Sequence, residues 1–472
     1  MATRVVHPDR IQPLNDEPVR SDAEYVLYWM QSSMRTVHND ALEHAVRRAN
    51  ELGLPVLACY GLMDDYPGST ARSKRFMVDG LVDVRDALAK RRIGFALHRE
   101  DCVDQAVRLA GAAALAVTDR GYLRHERAFR AAAADRFDCP LEQVEADVVV
   151  PIEVASDKLE FAARTIRPKI TRCLGEFLVA LDPTPVKHPW PGLNIEGDPV
   201  DLTDLDDLIA DMPGLDHAVP PVPMFTGGQR EAHRLLDAFL DRSAGVYDAH
   251  RNQPQTEDVS HMSKYLHFGQ VSPVKLALAI ESAWANHKDD RESYLEELIV
   301  RRELAINFAY YAPNTYDTFD CMPDWARKTI AEHADDPRDP EYTLEQLDDA
   351  QTHDPYWNAA MREMRYTGYM HNYMRMYWGK KIIEWSPSAR EAFDRMIHLN
   401  DKYFIDGRDP NSYTGIAWCF GVHDRAWTER PVLGKLRYMN ANGLKRKADP
   451  DAYVAKVDRL VAEVTGQEAP AA

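Results

Sequence analysis

Short apolar runs alternate with helical patterns through the first third of the chain. Residues 25–30, 55–62, 93–98 and 114–118 are nearly continuous apolar stretches. Each is followed by a segment whose apolar positions recur every three or four residues: 39–52, 71–89, 103–109 and 124–137. Strands apolar along their whole length belong to a sheet buried on both faces, and alternation with helices makes that sheet parallel. The run 144–150 predicts one more strand. Neither G-x-G-x-x-G nor G-x-x-x-x-G-K follows the first strand, so the phosphate-binding fingerprints that often accompany this pattern are lacking.

The texture changes at about residue 183. Prolines (Pro183, Pro185, Pro189, Pro191), an acidic stretch at 198–211 and a second proline group (Pro220, Pro221, Pro223) read as a long connector. Beyond it the period is helical, over 229–242, 273–286, 293–310, 342–351, 355–365, 369–385 and 388–399. The predicted organisation is an α/β Rossmann-like N-terminal domain (20–182), a linker (183–228) and an all-α domain (229–465). At 472 residues the chain exceeds what one hydrophobic core usually supports, and 45% hydrophobic residues suffice for two.

No apolar run is long enough for a membrane span, and the charged start (Arg4, His7, Asp9, Arg10) leaves no room for the apolar core of a signal peptide. A soluble intracellular protein is expected, cytoplasmic or, in a eukaryote, nuclear. The six cysteines lack C-x-x-C spacing, which argues against a disulfide framework and a zinc site. The formal charge of -18 opposes nucleic acid on average, yet phosphates feel the local potential. From 421 to 447 seven basic residues stand against two acidic ones, a net of +5. A solvated surface carries such runs too.

Five segments hold residues suited to chemistry. Ser260 to Gln270 opens with small hydroxyl residues that can meet a diphosphate, although an ordinary capped turn has the same composition. On the helix predicted over 369–385, Arg375, Trp378, Lys381, Ile382 and Trp385 share one face, with Trp357 on the preceding helix beyond Gly368. An amphipathic core helix explains that spacing equally, but a buried arginine there needs an acidic partner. The polar loop 399–411 either sits in water or encloses a polar ligand. His423 to Trp427 mixes aromatic, basic and acidic residues suited to extracting and stacking a base. Glu297 and Arg301, four apart on a helix, form either an exposed pair worth about 0.3–0.5 kcal/mol or part of a dry pocket.

Taken together these segments resemble class II DNA photolyases of the photolyase/cryptochrome family. The matching stretches run in the family's order. They are Val150 to Lys158 with Thr165 to Ile170, Tyr265 to Gln270, Glu297 to Leu304, Thr352 to Asn358, Tyr373 to Trp378, Asp406 to Asn411, and His423 to Arg425. The resemblance implies light-driven splitting of cyclobutane pyrimidine dimers in UV-damaged DNA by reduced FAD, chemistry that requires no metal, nucleophile or general base. It implies FAD contacts from Tyr247, Val259, Ser260, Met262, Ser263, Arg375, Asn400, Asp406 and Asp409, with Arg375 paired to Asp406. It further implies electron relay through Trp357, Trp378 and Trp385, in an order left open. Glu297 would hydrogen-bond the dimer and Met376 and Trp418 would pack on it. Arg251, Asn252, Arg301, Arg425 and Trp427 would face the DNA. A deazaflavin-type antenna is an open expectation for the N-terminal domain, and a monomer is expected. In two places the chain departs from the family: Lys264 stands where proline is usual, and the link from Trp418 to His423 is about one residue short.

Two rivals carry different functions. A signalling cryptochrome shares the flavin fold without repair; Glu297, Met376, Trp418 and the basic run speak against it. A light-independent nucleotide-binding protein built on the α/β domain lacks its phosphate loop.

Overall fold

The N-terminal sheet has six strands: β1 (Ile11–Pro13), β2 (Tyr25–Trp29), β3 (Val56–Gly61), β4 (Gly94–His98), β5 (Ala113–Asp119) and β6 (Leu141–Val144). Their spatial order is β1-β6-β5-β2-β3-β4, and every neighbouring pair is parallel except β1 on β6. This computed structural model describes residues 5–466. β2 and β5 are buried at every position, including Thr118 and Asp119 at the end of β5. Helices cover both faces.

The run 144–150 is not a strand. Only Val144 belongs to β6, and the residues after it leave the sheet. Buried guanidiniums satisfy the carbonyls that a neighbouring strand would otherwise take: Arg10 donates to Glu145, Val148 and Val149, Arg35 to Ala146, and Arg302 to Asp147. Residues 146–150 thus lie buried outside any strand. β1, only three residues long and ending in proline, gives no periodic signal.

The stretch 183–228 is irregular apart from a short helix, Leu205–Ala210. The helical half follows. Gln229–Ser243, Pro273–Ala283, Asp324–Glu332, Pro355–Thr367, Asn372–Trp385, Ala389–Tyr403, Pro410–Cys419 and Pro450–Thr465 are its main α-helices. The helix expected over 293–310 is three pieces in line: α-helix Lys288–Leu295, a π-helical stretch Glu296–Arg301, and α-helix Arg302–Tyr311. The helix expected over 342–351 shrinks to Leu344–Asp348 behind a Thr343–Gln346 capping box. That expected from 369 begins at Asn372, because Gly368 closes the previous helix at φ 71° and His371 caps the next. Pro410–Cys419, a helix that the sequence pattern did not predict, starts from the Asp409 side chain with proline in its first turn.

The halves are not packed separately. One continuous core runs from Val26, Leu81 and Val117 beside the sheet to Leu236, Tyr265, Ile299 and Leu304, while a second surrounds Trp357, Trp378 and Trp385. Arg72 clasps the halves together: its guanidinium donates to the carbonyls of Pro220 (3.1 Å), Met364 (3.3 Å), Arg365 (2.7 Å) and Tyr403 (2.9 Å). Gly269, at φ 59°, lies so close to the loop after β2 that a Cβ would sit 1.8 Å from the Ser32 carbonyl oxygen. Among the described residues no helix is long and apolar enough to cross a membrane, and all six cysteines are unpaired.

Candidate functional site

A cavity of about 330 Å³ opens in the helical half, within the usual range of about 300–1,000 Å³ for small-molecule sites. Tyr247, Val259, Ser260, Met262 and Ser263 reach it from the segment before and at the helix Ser263–His267, Arg375 from Asn372–Trp385, and Asn400 from Ala389–Tyr403. Asp406 and Asp409 reach it from the polar loop between Tyr403 and Pro410. All nine residues expected to face the cofactor therefore line one space, together with Arg251, Glu297, Met376 and Trp378.

Charge in this wall is paired. Arg375 Nη2 donates to both Asp406 oxygens, at 2.9 and 3.2 Å, and lies 3.8 Å over the Phe404 ring. Burial works against charge on Asp406, but the Arg375 guanidinium, Ser263 and the Lys264 ammonium hold its carboxyl below the usual range. Burial opposes charge on Asp409 likewise, and His267, Arg302 and the Asn411 N–H hold it down.

Three ring nitrogens of this wall have no partner among the described residues: His261 Nδ1, His371 Nε2 and Trp378 Nε1. His371 Nδ1 accepts the Tyr373 N–H at 3.2 Å, which leaves the proton on Nε2 as an unused donor. Burial, then Lys456 and Arg375, keep that imidazole neutral, its pKa lowered to about 3. Buried polar groups normally find partners. Donors on an arginine- and carboxylate-lined cavity of this size fit a large polar ligand with an aromatic body, and FAD is one. Sequence reasoning missed His371, Asn372 and Tyr369; the turn at Gly368 was the one signal pointing to them.

Trp378 is also the cavity end of an aromatic series. Trp357 Nε1 donates to the Trp378 carbonyl at 3.0 Å, and the Trp357 and Trp385 rings lie 5.7 Å apart; all three are buried. Trp385 in turn meets Tyr342 at 5.4 Å and His353 at 5.3 Å, the latter at the surface.

Glu297 does not pair with Arg301. In the π-helical stretch residues five apart share a face, so Arg301 Nε donates to Glu296 at 3.1 Å, while Glu297 accepts from Arg251 Nη2 at 2.5 Å. Trp418 stands at the rim, next to cavity-lining Cys419 and under the Arg301 guanidinium at 5.5 Å. Asn252 is exposed near Arg251. Arg425 and Trp427 lie outside the cavity, on an exposed loop whose Arg430 and Gly434 exchange backbone hydrogen bonds of 2.9 and 2.8 Å. His333 braces this loop from outside, bonding Asp336 at 2.6 Å and Glu429 at 3.1 Å, while Asp336 also accepts the Val432 N–H.

A second, smaller cavity of about 100 Å³ lies at the end of the sheet. It is lined by Gln31 and Ser32 after β2, Tyr60 and Gly61 of β3, and Tyr66, Lys74, Glu126 and Arg408. Strand order reverses between β5 and β2, the place where open α/β sheets take ligands. Both amide atoms of Gln31 lack partners there among the described residues.

Residues 26–190 match the DNA photolyase family. The chain is 45% identical to the deoxyribodipyrimidine photo-lyase of Methanothermobacter thermautotrophicus over 97% of its length and 100% of that protein. It is 40% identical to the one of Arabidopsis thaliana over 98% of its length and 95% of that protein. Among solved structures, a class III photolyase from Agrobacterium tumefaciens superposes with a TM-score of 0.72 at 19% identity, covering 93% of this chain and 87% of the other. An archaeal photolyase from Sulfolobus tokodaii described with two FAD molecules gives 0.66 at 15% identity, covering 93% and 90%. The structural likenesses speak for the fold alone, and the α/β sheet with its helical partner is that fold. Identity sustained across nearly the whole length of both chains carries the further step: this chain belongs to the DNA photolyase family.

Proposed function

We propose that the protein is a class II deoxyribodipyrimidine photo-lyase that holds FAD in the larger cavity and repairs cyclobutane pyrimidine dimers in UV-damaged DNA. The observation that carries this reading is one cavity with a buried tryptophan series leaving it at Trp378 and a carboxylate, Glu297, in its lining. When bound in its fully reduced form, FAD supplies the photoexcited electron that opens the two carbon–carbon bonds of the dimer, and takes it back.

The chain's own residues bind, orient and conduct. Tyr247, Val259, Ser260, Met262 and Ser263 would meet the diphosphate side, and Asn400, Asp406 and Asp409 the ribityl and ring side. Arg375, fixed by Asp406, would present positive charge beside the ring, and His371 and Trp378 would donate to it. The Trp385–Trp357 ring contact and the hydrogen bond from Trp357 to the Trp378 carbonyl support a relay from Trp385 through Trp357 to Trp378. Glu297 would hydrogen-bond the extruded dimer, with Met376 and Trp418 packing on it. Arg251, Asn252, Arg301, Arg425 and Trp427 would hold the opened strand. Base extrusion costs only a few kcal/mol for damaged pairs, a rule for which photolyases are among the standing examples. A deazaflavin-type antenna would belong at the switch-point cavity beside Gln31.

A cryptochrome would share the flavin cavity. The basic loop beyond Arg425 and the carboxylate of Glu297 favour repair. The test is an absorption spectrum of the purified protein followed by dimer repair under blue light: flavin bands with light-dependent loss of dimers are expected. Flavin without repair would leave the signalling reading, and no flavin would remove both.

A further inference from the structure

Among the described residues, two aromatic side chains stand out among the exposed large hydrophobics: Trp427, 36% exposed, and Phe161, 51%. Each has arginine over its ring. Arg425 and Arg437 lie 4.9 and 4.7 Å from the Trp427 centroid, and Arg164 lies 5.7 Å from that of Phe161. The two are fastened to consecutive residues of one turn. His423 Nδ1 bonds the Phe161 carbonyl oxygen at 2.8 Å, and the Asp424 carboxylate accepts from Trp427 Nε1 at 3.2 and 3.3 Å.

Both routes from Phe161 lead to the rim of the larger cavity. The His423 ring meets Trp418 at 6.4 Å. On the other route, from the helix Ala163–Phe177, Arg167 donates to Glu296 at 2.6 and 3.0 Å, Arg301 donates to the same carboxylate, and Arg301 covers Trp418. The segment that carries Phe161 is also held still. Asn307 accepts the Glu160 N–H at 2.8 Å and donates to the Lys158 carbonyl at 3.0 Å, and Tyr311 donates to the Ser156 carbonyl at 2.6 Å. A rigid backbone that leaves an aromatic ring and Leu159 half in water has no folding reason to do so. Within residues 157–164, Lys158 and Arg164 are exposed against one exposed acid, Asp157, since Glu160 is buried and paired with Lys169.

We propose that Phe161, with Lys158 and Arg164, is a second DNA-contacting element, separate from the Trp427 loop, that takes duplex DNA flanking the extruded lesion. The ring stacks on a base left unpaired by extrusion, and the two cations meet phosphates. The proposal rests on the repair reading above. Charge complementarity and continuity with the cavity rim select this occupant, and a preformed surface loses little entropy on binding.

The experiment is equilibrium binding of a labelled duplex with one thymine dimer and of its undamaged match, between about 50 and 200 mM salt. Wild type is compared with Phe161→Ala, Phe161→Trp, the double change Lys158→Glu with Arg164→Glu, and Arg425→Glu. Flavin absorbance confirms folding of each. Phe161→Ala should lose about tenfold in affinity for the dimer duplex and much less for the undamaged one, and Phe161→Trp should retain it. The double reversal should weaken both duplexes alike and flatten the salt slope by about 0.9 for each phosphate no longer neutralised. If Phe161→Ala and the double reversal bind as wild type while Arg425→Glu weakens binding, this proposal is overturned and the repair reading stands. If wild type itself shows no preference for the dimer, the repair reading falls first.

Discussion

At the scale of single residues, Glu297 is held by Arg251 with one carboxylate oxygen, and its other oxygen takes no hydrogen bond among the described residues. Glu297→Ala should keep flavin bound and lower repair per absorbed photon several-fold, measured as dimers split under calibrated light; flavin loss with normal repair per bound flavin would place the residue on the wrong side. Lys264 makes a different case. Its ammonium is buried, 3.2 Å from the His261 carbonyl and 3.7 Å from the Phe225 centroid, and burial lowers its pKa to about 7. A lowered lysine pKa means that the unfolded chain binds the proton more readily, so the penalty is full below pH 7 and fades as pH rises toward the ordinary value. Lys264→Met should therefore raise the melting temperature at pH 6, with a gain that shrinks by pH 10; a gain independent of pH would trace to packing instead. The family resemblance marked Lys264 as unusual. It did not show that the amine would be caged by two aromatic rings, because Phe225 and Tyr369 are distant in sequence.

At the scale of elements, the gathering of Arg375, Asp406 and Asp409 on one cavity was legible through the family resemblance, since they sit in short stretches that match it. The tryptophan series needed more. Periodicity placed Trp378 and Trp385 on one face, and the turn at Gly368 returned Trp357 to them, but the order in which the rings meet depends on packing. Replacing Trp357, Trp378 or Trp385 by phenylalanine should slow photoreduction of oxidised flavin and spare repair when the flavin is reduced chemically beforehand. Normal photoreduction together with easier unfolding would make them core residues only. The π-helical stretch escaped the sequence because a period of 3.6 was assumed through 293–310, and of the two readings left open for Glu297 that assumption offered a pair with Arg301, which instead meets Glu296. The loop 427–435 depends on a titration. Hydrogen bonds to Asp336, then Glu429, raise the His333 pKa, with Lys435 and Arg338 the nearby cations. Its contribution is present below the ordinary histidine value and lost as pH rises through the raised one. DNA affinity should fall across that rise beyond any general trend, and His333→Gln should remove the extra fall.

At the scale of the whole molecule, a chain of net charge -18 binds a polyanion only through local patches, so affinity must drop steeply with salt. Reversing Arg430 or Lys435 to glutamate should weaken damaged and undamaged duplex alike, since phosphates carry no damage information. Trp418→Ala should instead erase much of the preference for the dimer, and a preference that survives it would remove Trp418 from the pocket. The α/β sheet and the helical half were both legible as patterns, yet their union was not: the partners of Arg72 are backbone carbonyls, which leave no mark on a side-chain pattern. That clasp matters before the protein is complete. Synthesis proceeds at roughly 5–20 residues per second and domains fold as they emerge. The sheet is therefore finished while Met364, Arg365 and Tyr403 are still to be translated, and Arg72 meets water through that interval. A nascent chain stalled before residue 403 should carry a folded sheet with an open seam, sensitive to protease near Pro220 and prone to capture by chaperones. The seam closes only when the tunnel releases the segments that line the larger cavity, so sealing of the two halves and completion of that cavity arrive in the same late step of biogenesis.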